Sequence, residues 1–170
     1  MQVAITGTPG TGKTTVIDNL GTDHRIIHLT EYIEENQLGE QVEGVNEVEI
    51  EQLRNSIEQE VNTSEDIIFE GHLAHHLEVD LCIVLRCSPE ELEQRLGHRD
   101  YSDSKVKENV EAEALDVILS EAVQLCEEIL EVDTTGKEVE EVVAEVKKGI
   151  DNKETGYGDV DWSKSFQALF

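Results

Sequence analysis

The chain has 170 residues, 31% of them charged, and 39 acidic against 13 basic side chains give a formal net charge of −26. That length suits one domain with a sizeable core; no apolar run approaches the ~20 residues that cross a bilayer, and the three cysteines form no C-x-x-C pair that would suggest a metal or redox site. The acids are spread along the chain instead of forming a tail, so the charge reads as the surface of a protein from a salt-loving cell, screened where ~1 M salt cuts the Debye length to about 3 Å, and it is also compatible with a face for a basic partner.

Gln2–Thr6 reads as a short buried strand. The chain enters it at once, which predicts no leader peptide and a cytoplasmic protein. Gly7-Thr8-Pro9-Gly10-Thr11-Gly12-Lys13-Thr14-Thr15 follows and fits the phosphate-loop pattern G-x-x-x-x-G-K-[ST] at every fixed position. Thr14 to Leu20 reads as the first turns of a helix. The order strand, glycine loop, helix is what phosphate binding needs. Glycines let the backbone aim its N–H groups at phosphate oxygens, and the helix N-terminus adds partial positive charge there.

Ile26 to Leu29 is a second strand, and Thr30 can cap a short helix to about Gln37. Asn36 to Asn46, with Gly39 and Gly44, looks like a loop. Val48 to Val61 has helical apolar spacing. Ile67-Ile68-Phe69 and Leu81 to Leu85 are continuous apolar runs, as expected for strands of a parallel sheet covered on both faces. Ser88 caps a helix with Pro89 at its first position and Glu91 placed to close a capping box; it ends near Gly97. After the polar segment His98 to Ser104, one long helix is expected from Lys105 to Leu130. A last strand near Ile129 to Asp133 and a helix from Glu138 to Ile150 precede the tail, 151–170. Strands alternating with helices predict a three-layer α/β phosphate-loop fold with a parallel sheet, in one domain over 1–170.

Several residues then acquire candidate roles. Lys13 is placed to reach the β- and γ-phosphates of ATP and Thr14 to face Mg²⁺. Glu70 ends a buried strand, where a carboxylate can hold Mg²⁺ directly or through water. His72, two residues on, can orient an attacking group. His75 and His76 follow and invite a metal reading, but no cysteine or further histidine completes a set. Arg95 and Arg99, four apart on one helix face, suit the clamping of triphosphate charge. Lys137 sits at another strand-to-helix corner and can line the base. Cys82 and Cys126 read as small core residues.

Taken together, Gly7 to Thr15, Glu70-Gly71-His72, Leu85 to Glu91, Arg99-Asp100-Tyr101-Ser102, Lys107 to Glu113 and Asp159-Val160-Asp161-Trp162 resemble the archaeal and nuclear adenylate-kinase family, isoenzyme type six. The resemblance runs over nearly the whole chain. It implies a nucleoside-monophosphate kinase core that uses MgATP and AMP or another monophosphate, with ATPase activity and a part in small-subunit maturation and 16S rRNA processing. It implies that Gly10, Gly12, Lys13, Thr14 and Thr15 bind ATP, that Arg99 opens a lid over 98–108, that Lys137 lies near the nucleotide, and that 28–51 holds the monophosphate. It also implies a platform ribosomal protein of the eleventh family and the pre-30S particle as partners, without direct sequence-specific nucleic-acid binding. Trp162, Phe166 and Phe170 are candidate anchors for that partner, or fold back on this chain's own core. An assembly ATPase with incidental kinase activity, or a nucleotide-gated binding module, is the rival reading. Two departures stand out: eukaryotic members carry Asp where this chain has Glu70, and 28–51 holds no arginine or lysine. Arg25 and Arg54 flank that segment, and either could meet the monophosphate.

Overall fold

The computed structural model describes residues 1–42 and 45–169. Its centre is a five-stranded parallel sheet of order β2-β5-β1-β6-β7, made of β1 (Gln2–Thr6), β2 (Arg25–His28), β5 (Ile67–Glu70), β6 (Leu81–Arg86) and β7 (Ile129–Asp133). β1 lies in the middle. The chain first passes to the edge strand β2, returns through β5 beside β1, and then crosses to the other side through β6 and β7. Ligands of such sheets bind at the carboxyl edge where the winding reverses, and here that edge carries the glycine loop.

The inner strands β1, β5 and β6 are buried on both faces because both are covered, while the edge strands β2 and β7 carry polar residues. On one face α1 (Lys13–Asn19) and α7 (Val139–Asn152) bring Val16, Ile17, Leu20, Val142, Val146 and Ile150 onto Val3, Ile5, Ile83 and Leu85. On the other, α2 (Leu29–Glu35), α3 (Ile50–Glu60) and α6 (Val117–Leu125) bring Tyr32, Ile33, Leu53, Ile57, Leu119 and Ala122 onto Ala4, Phe69, Cys82 and Val84. A smaller cluster of Cys87, Leu92, Leu96 and Val110 joins α4 (Pro89–Gly97) to α5 (Asp103–Ala114). Ser88 caps α4 by accepting from the Glu91 N–H at 3.3 Å, as its sequence predicts.

The structure departs from the sequence reading at three places. Helix α2 starts at Leu29, with His28 in the cap position, two residues before the expected Thr30 cap. Leu29, Tyr32 and Ile33 are all buried, and that i, i+3, i+4 stripe draws the helix start forward. The expected loop contains an antiparallel pair, β3 (Glu40–Val42) and β4 (Val45–Glu47). The expected long helix is two helices. Asp116 adopts a left-handed conformation, φ 53°, which aspartate tolerates, and its carboxylate pairs with Arg86. The tail, to which the sequence reading assigned no element, pairs with the sheet: Gly156 donates to Ile129 O at 2.8 Å, its own carbonyl accepts from Glu131 N, and α8 (Ser163–Leu169) follows. No helix among the described residues is long and apolar enough to cross a membrane.

Candidate active site

The loop between β1 and α1 is shaped by its glycines. At Gly7, φ is +145°, and a Cβ would lie 2.4 Å from Leu85 O; at Gly10, φ is +94°, and a Cβ would meet Leu96 and Leu92 at 2.8 and 2.9 Å. Gly10 therefore lets α4 pack directly on the loop. Gly12, φ +102°, faces open space. Lys13 turns back over the loop, its Nζ donating to Gly7 O at 2.8 Å and Thr8 O at 3.1 Å. Burial lowers the Lys13 pKa from 10.5 to about 8, against the opposing pull of Glu70 and with help from Arg99. Thr14 and Thr15 are exposed, and their hydroxyls make no hydrogen bond among the described residues.

Glu70 ends β5, beside β1, and is buried. Its Oε2 accepts from His28 Nδ1 at 2.8 Å, which leaves Oε1 uncommitted among the described residues. The pairing of β2 with β5 puts His28 directly opposite Glu70. A free hydroxyl on Thr14 and a half-free carboxylate on Glu70 are the hard oxygen donors that Mg²⁺ takes. His72 is exposed, but the atoms crowded around its ring thin its hydration and, with the Lys13 charge, hold its pKa below the ordinary histidine value.

A cleft of about 370 Å³ opens beside the loop, walled by Gly10, Gly12, Thr15, Arg95, Arg99 and Lys137 among others, with Val139 and Val142 as its apolar side. Apolar contact with a few placed polar groups is what a purine ring requires. The two arginines are not equivalent, and they do not share a helix face. Arg95 is fully engaged: it donates to Gly10 O and Thr11 O at 3.4 Å, to Thr134 Oγ1 at 3.2 Å and to Glu91 Oε1 at 2.6 Å. It braces the loop against α4 and the turn after β7. Arg99 lies beyond the end of α4, is exposed, and makes no ion pair among the described residues. Lys137 pairs with Glu145 at 2.7 Å on the rim.

A family model described as an AAA domain matches residues 3–116. Two archaeal proteins named "Putative adenylate kinase" are similar over nearly their whole length. That of Pyrococcus abyssi is 41% identical, covering 99% of this chain and 95% of its own; that of Methanosarcina barkeri is also 41% identical, covering 95% and 97%. The chain belongs to this adenylate kinase family. Solved structures share the fold at low identity. Deoxyadenosine kinase from M. mycoides with bound dATP has a TM-score of 0.59 at 17% identity, covering 89% of this chain and 100% of its own. Shikimate kinase from Bacteroides thetaiotaomicron has a TM-score of 0.56 at 18% identity, covering 89% and 98%.

The adenylate kinase motifs that are far apart in the sequence meet behind the loop. Glu113, at the end of α5, is fully buried. Its Oε2 accepts from Thr8 Oγ1 at 2.6 Å; its Oε1 accepts from Arg86 Nε at 2.8 Å, Cys87 N at 3.2 Å and Trp162 Nε1 at 3.3 Å. Arg86 also holds Glu131 at 2.7 Å and Asp116, and lies 5.9 Å from the Trp162 ring centroid. Sequence reasoning assigned no role to Arg86 or Glu113. The available signal was an arginine closing an apolar strand, since a buried guanidinium demands buried acids. Trp162 is thereby engaged by its own chain; Phe166 lies in α8, and Phe170 falls outside the described residues.

Arg25 and Arg54, the two candidates for the monophosphate, both face away from the cleft. Arg25 starts β2, at the opposite end of that strand from His28, and pairs with Glu60 and Glu65. Arg54 donates to His76 O at 2.5 Å and lines a hollow with Gln2 and Asp80 at the far edge of the sheet.

Proposed function

We propose that the protein transfers the γ-phosphate of MgATP to AMP or another nucleoside monophosphate, with ATP hydrolysis as a second outcome. The observation that carries this reading is the glycine loop at the carboxyl edge of β1, with Lys13 folded over it and Glu70 at the end of the neighbouring strand. Lys13 exchanges its loop carbonyls for β- and γ-phosphate oxygens, and the loop amides complete the cradle. The Thr14 hydroxyl and Glu70 would hold Mg²⁺, with His28 fixing the Glu70 carboxylate. When bound, Mg²⁺ neutralises charge developing on the phosphate oxygens. Arg99, free of ion pairs among the described residues, adds its charge as the lid over 98–108 closes, while Arg95 keeps the loop in place. A neutral His72 orients the attacking oxygen. Lys137, Val139 and Val142 flank the base.

The acceptor phosphate needs a cation, and Arg25 and Arg54 are committed elsewhere. Lys105 on the lid helix is one cation nearer the site: its charge reaches His72, and its contact with Glu108, 3.3 Å away on the same exposed face, is a surface ion pair that a phosphate can displace on closure. The same scarcity of fixed charge favours a second reading, in which water is the main acceptor and the protein is a nucleotide-gated assembly ATPase. We further read the acidic surface as that of a salt-adapted protein. At low salt it favours attraction to a basic platform ribosomal protein of the eleventh family on the pre-30S particle; at molar salt that steering is screened, and the complex rests on short-range contacts other than Trp162.

The test is ADP formation from ATP in about 2 M KCl, with and without AMP. A rate that rises steeply with AMP and doubles the ADP yield per ATP supports the kinase. An AMP-independent rate with free phosphate as product supports the ATPase.

A further inference from the structure

The turn after the Glu70 strand carries a cluster that the nucleotide chemistry does not use. His75 and His76 occupy a short 3-10 turn, 74–76, that packs against α6. The third member, Glu121, comes from α6, far away in sequence. Its Oε2 lies 2.9 Å from His75 Nε2 and 3.7 Å from His76 Nε2, and the three donor atoms are mutually within 4.8 Å. Tetrahedral Zn²⁺ with bonds of about 2.0–2.1 Å separates its ligand atoms by about 3.3 Å, so Glu121 already stands close to that spacing from both imidazole nitrogens.

We propose that His75, His76 and Glu121 bind one divalent transition-metal ion of the Zn²⁺ type, pinning the turn after β5 to α6. Two imidazoles and a carboxylate select Zn²⁺ or Co²⁺ over Mg²⁺. The outer partner is already in place. The other ring nitrogen of His75, Nδ1, lies 3.0 Å from Thr6 Oγ1. A hydroxyl both donates and accepts, so Thr6 serves His75 when Nε2 carries the proton and equally when Nε2 is bare for a metal. Burial lowers the pKa of both histidines, which keeps them in the neutral form that ligates. Glu121 is 45% exposed, which leaves an entry path and room for water as a fourth ligand. Arg54, the cation beside this group, is held on the His76 carbonyl rather than among the donors. The site shares no residue with Thr14 and Glu70.

The experiment uses the full chain, stripped with a chelator and free of nucleotide, in high KCl. It is titrated with Co²⁺, whose visible absorption is intense in tetrahedral and weak in octahedral surroundings, and then with Zn²⁺ against a chromophoric chelator. The expected result is one equivalent with tetrahedral absorption that Zn²⁺ displaces and Mg²⁺ does not. His76→Ala and Glu121→Gln, both at solvent-accessible positions, should each weaken Zn²⁺ binding at least ~10-fold, with ATP turnover in Mg²⁺ unchanged. Weak octahedral Co²⁺ absorption in the wild type, or Zn²⁺ affinity in both variants equal to that of the wild type, would overturn the proposal and assign the binding to scattered surface carboxylates.

Discussion

Lys13 is a charged side chain held almost out of water, and its cost and its use are separable. Its pKa falls from 10.5 to about 8 on folding because burial disfavours the ammonium. Between those values the unfolded chain binds more protons than the folded one, so this group makes the protein more stable as pH rises from about 8 to 10.5 and penalises it by a constant amount below that window. Lys13→Met removes the dependence. Urea denaturation at several pH values should show the stability of the variant relative to wild type falling across that window by roughly 3 kcal/mol; a constant difference would mean that Lys13 is not desolvated. Nucleotide binding should act in the opposite direction, because phosphate oxygens favour the ammonium. Titration calorimetry near pH 8.5 in buffers of different ionisation heat should therefore record proton uptake with ATP. Gly10 gives a second test at this scale. A Cβ there would run into Leu92 and Leu96 at a φ of +94°, so Gly10→Ala should cost about 1–3 kcal/mol by strain and overpacking and weaken ATP binding by displacing the loop.

Among the elements, α5 and the tail matter most, because both end on Glu113. The carboxylate joins the loop through Thr8, the sheet edge through Arg86 and the tail through Trp162. Glu113→Ala would leave a buried guanidinium with one fewer partner and Thr8 without one, and should cost about 3–5 kcal/mol; a change in melting temperature no larger than that of an exposed Glu→Ala control would contradict this. Ending the chain at Lys153 removes both backbone bonds of Gly156 to β7 along with Trp162, so the truncated protein should also melt earlier. How far these elements could be read from the sequence follows from where their determinants lie. The glycine loop, β1, β5, β6 and the α4 cap are legible because local residues fix them, and so are the positions of Lys13 and Thr14 at the start of α1 and of Glu70 at the end of β5. The break at Asp116 is not legible, because an unbroken apolar stripe hides it and Arg86, thirty positions earlier, holds it. The same holds for Glu121 beside His75, and for Arg25 and Arg54, whose direction depends on acids met only in the fold.

The whole molecule is dominated by its charge of −26. Even the β3–β4 pair sets Glu40 opposite Glu47, a repulsive cross-strand match in dilute buffer. Screening at molar salt should relieve that pair and the general repulsion, and should also ease the approach of an anionic nucleotide. The melting temperature is expected to rise steadily from low salt to about 2 M KCl; a flat profile would remove the salt-adapted reading without touching the enzyme assignment. The central claim, that the cleft beside the glycine loop passes phosphate to a nucleotide, is tested most directly by following labelled γ-phosphate from ATP in high KCl with AMP present. The account predicts that the label appears in ADP with wild-type protein and that Lys13→Ala, still folded, transfers none. Label released only as free phosphate, or transfer undiminished in Lys13→Ala, would contradict it.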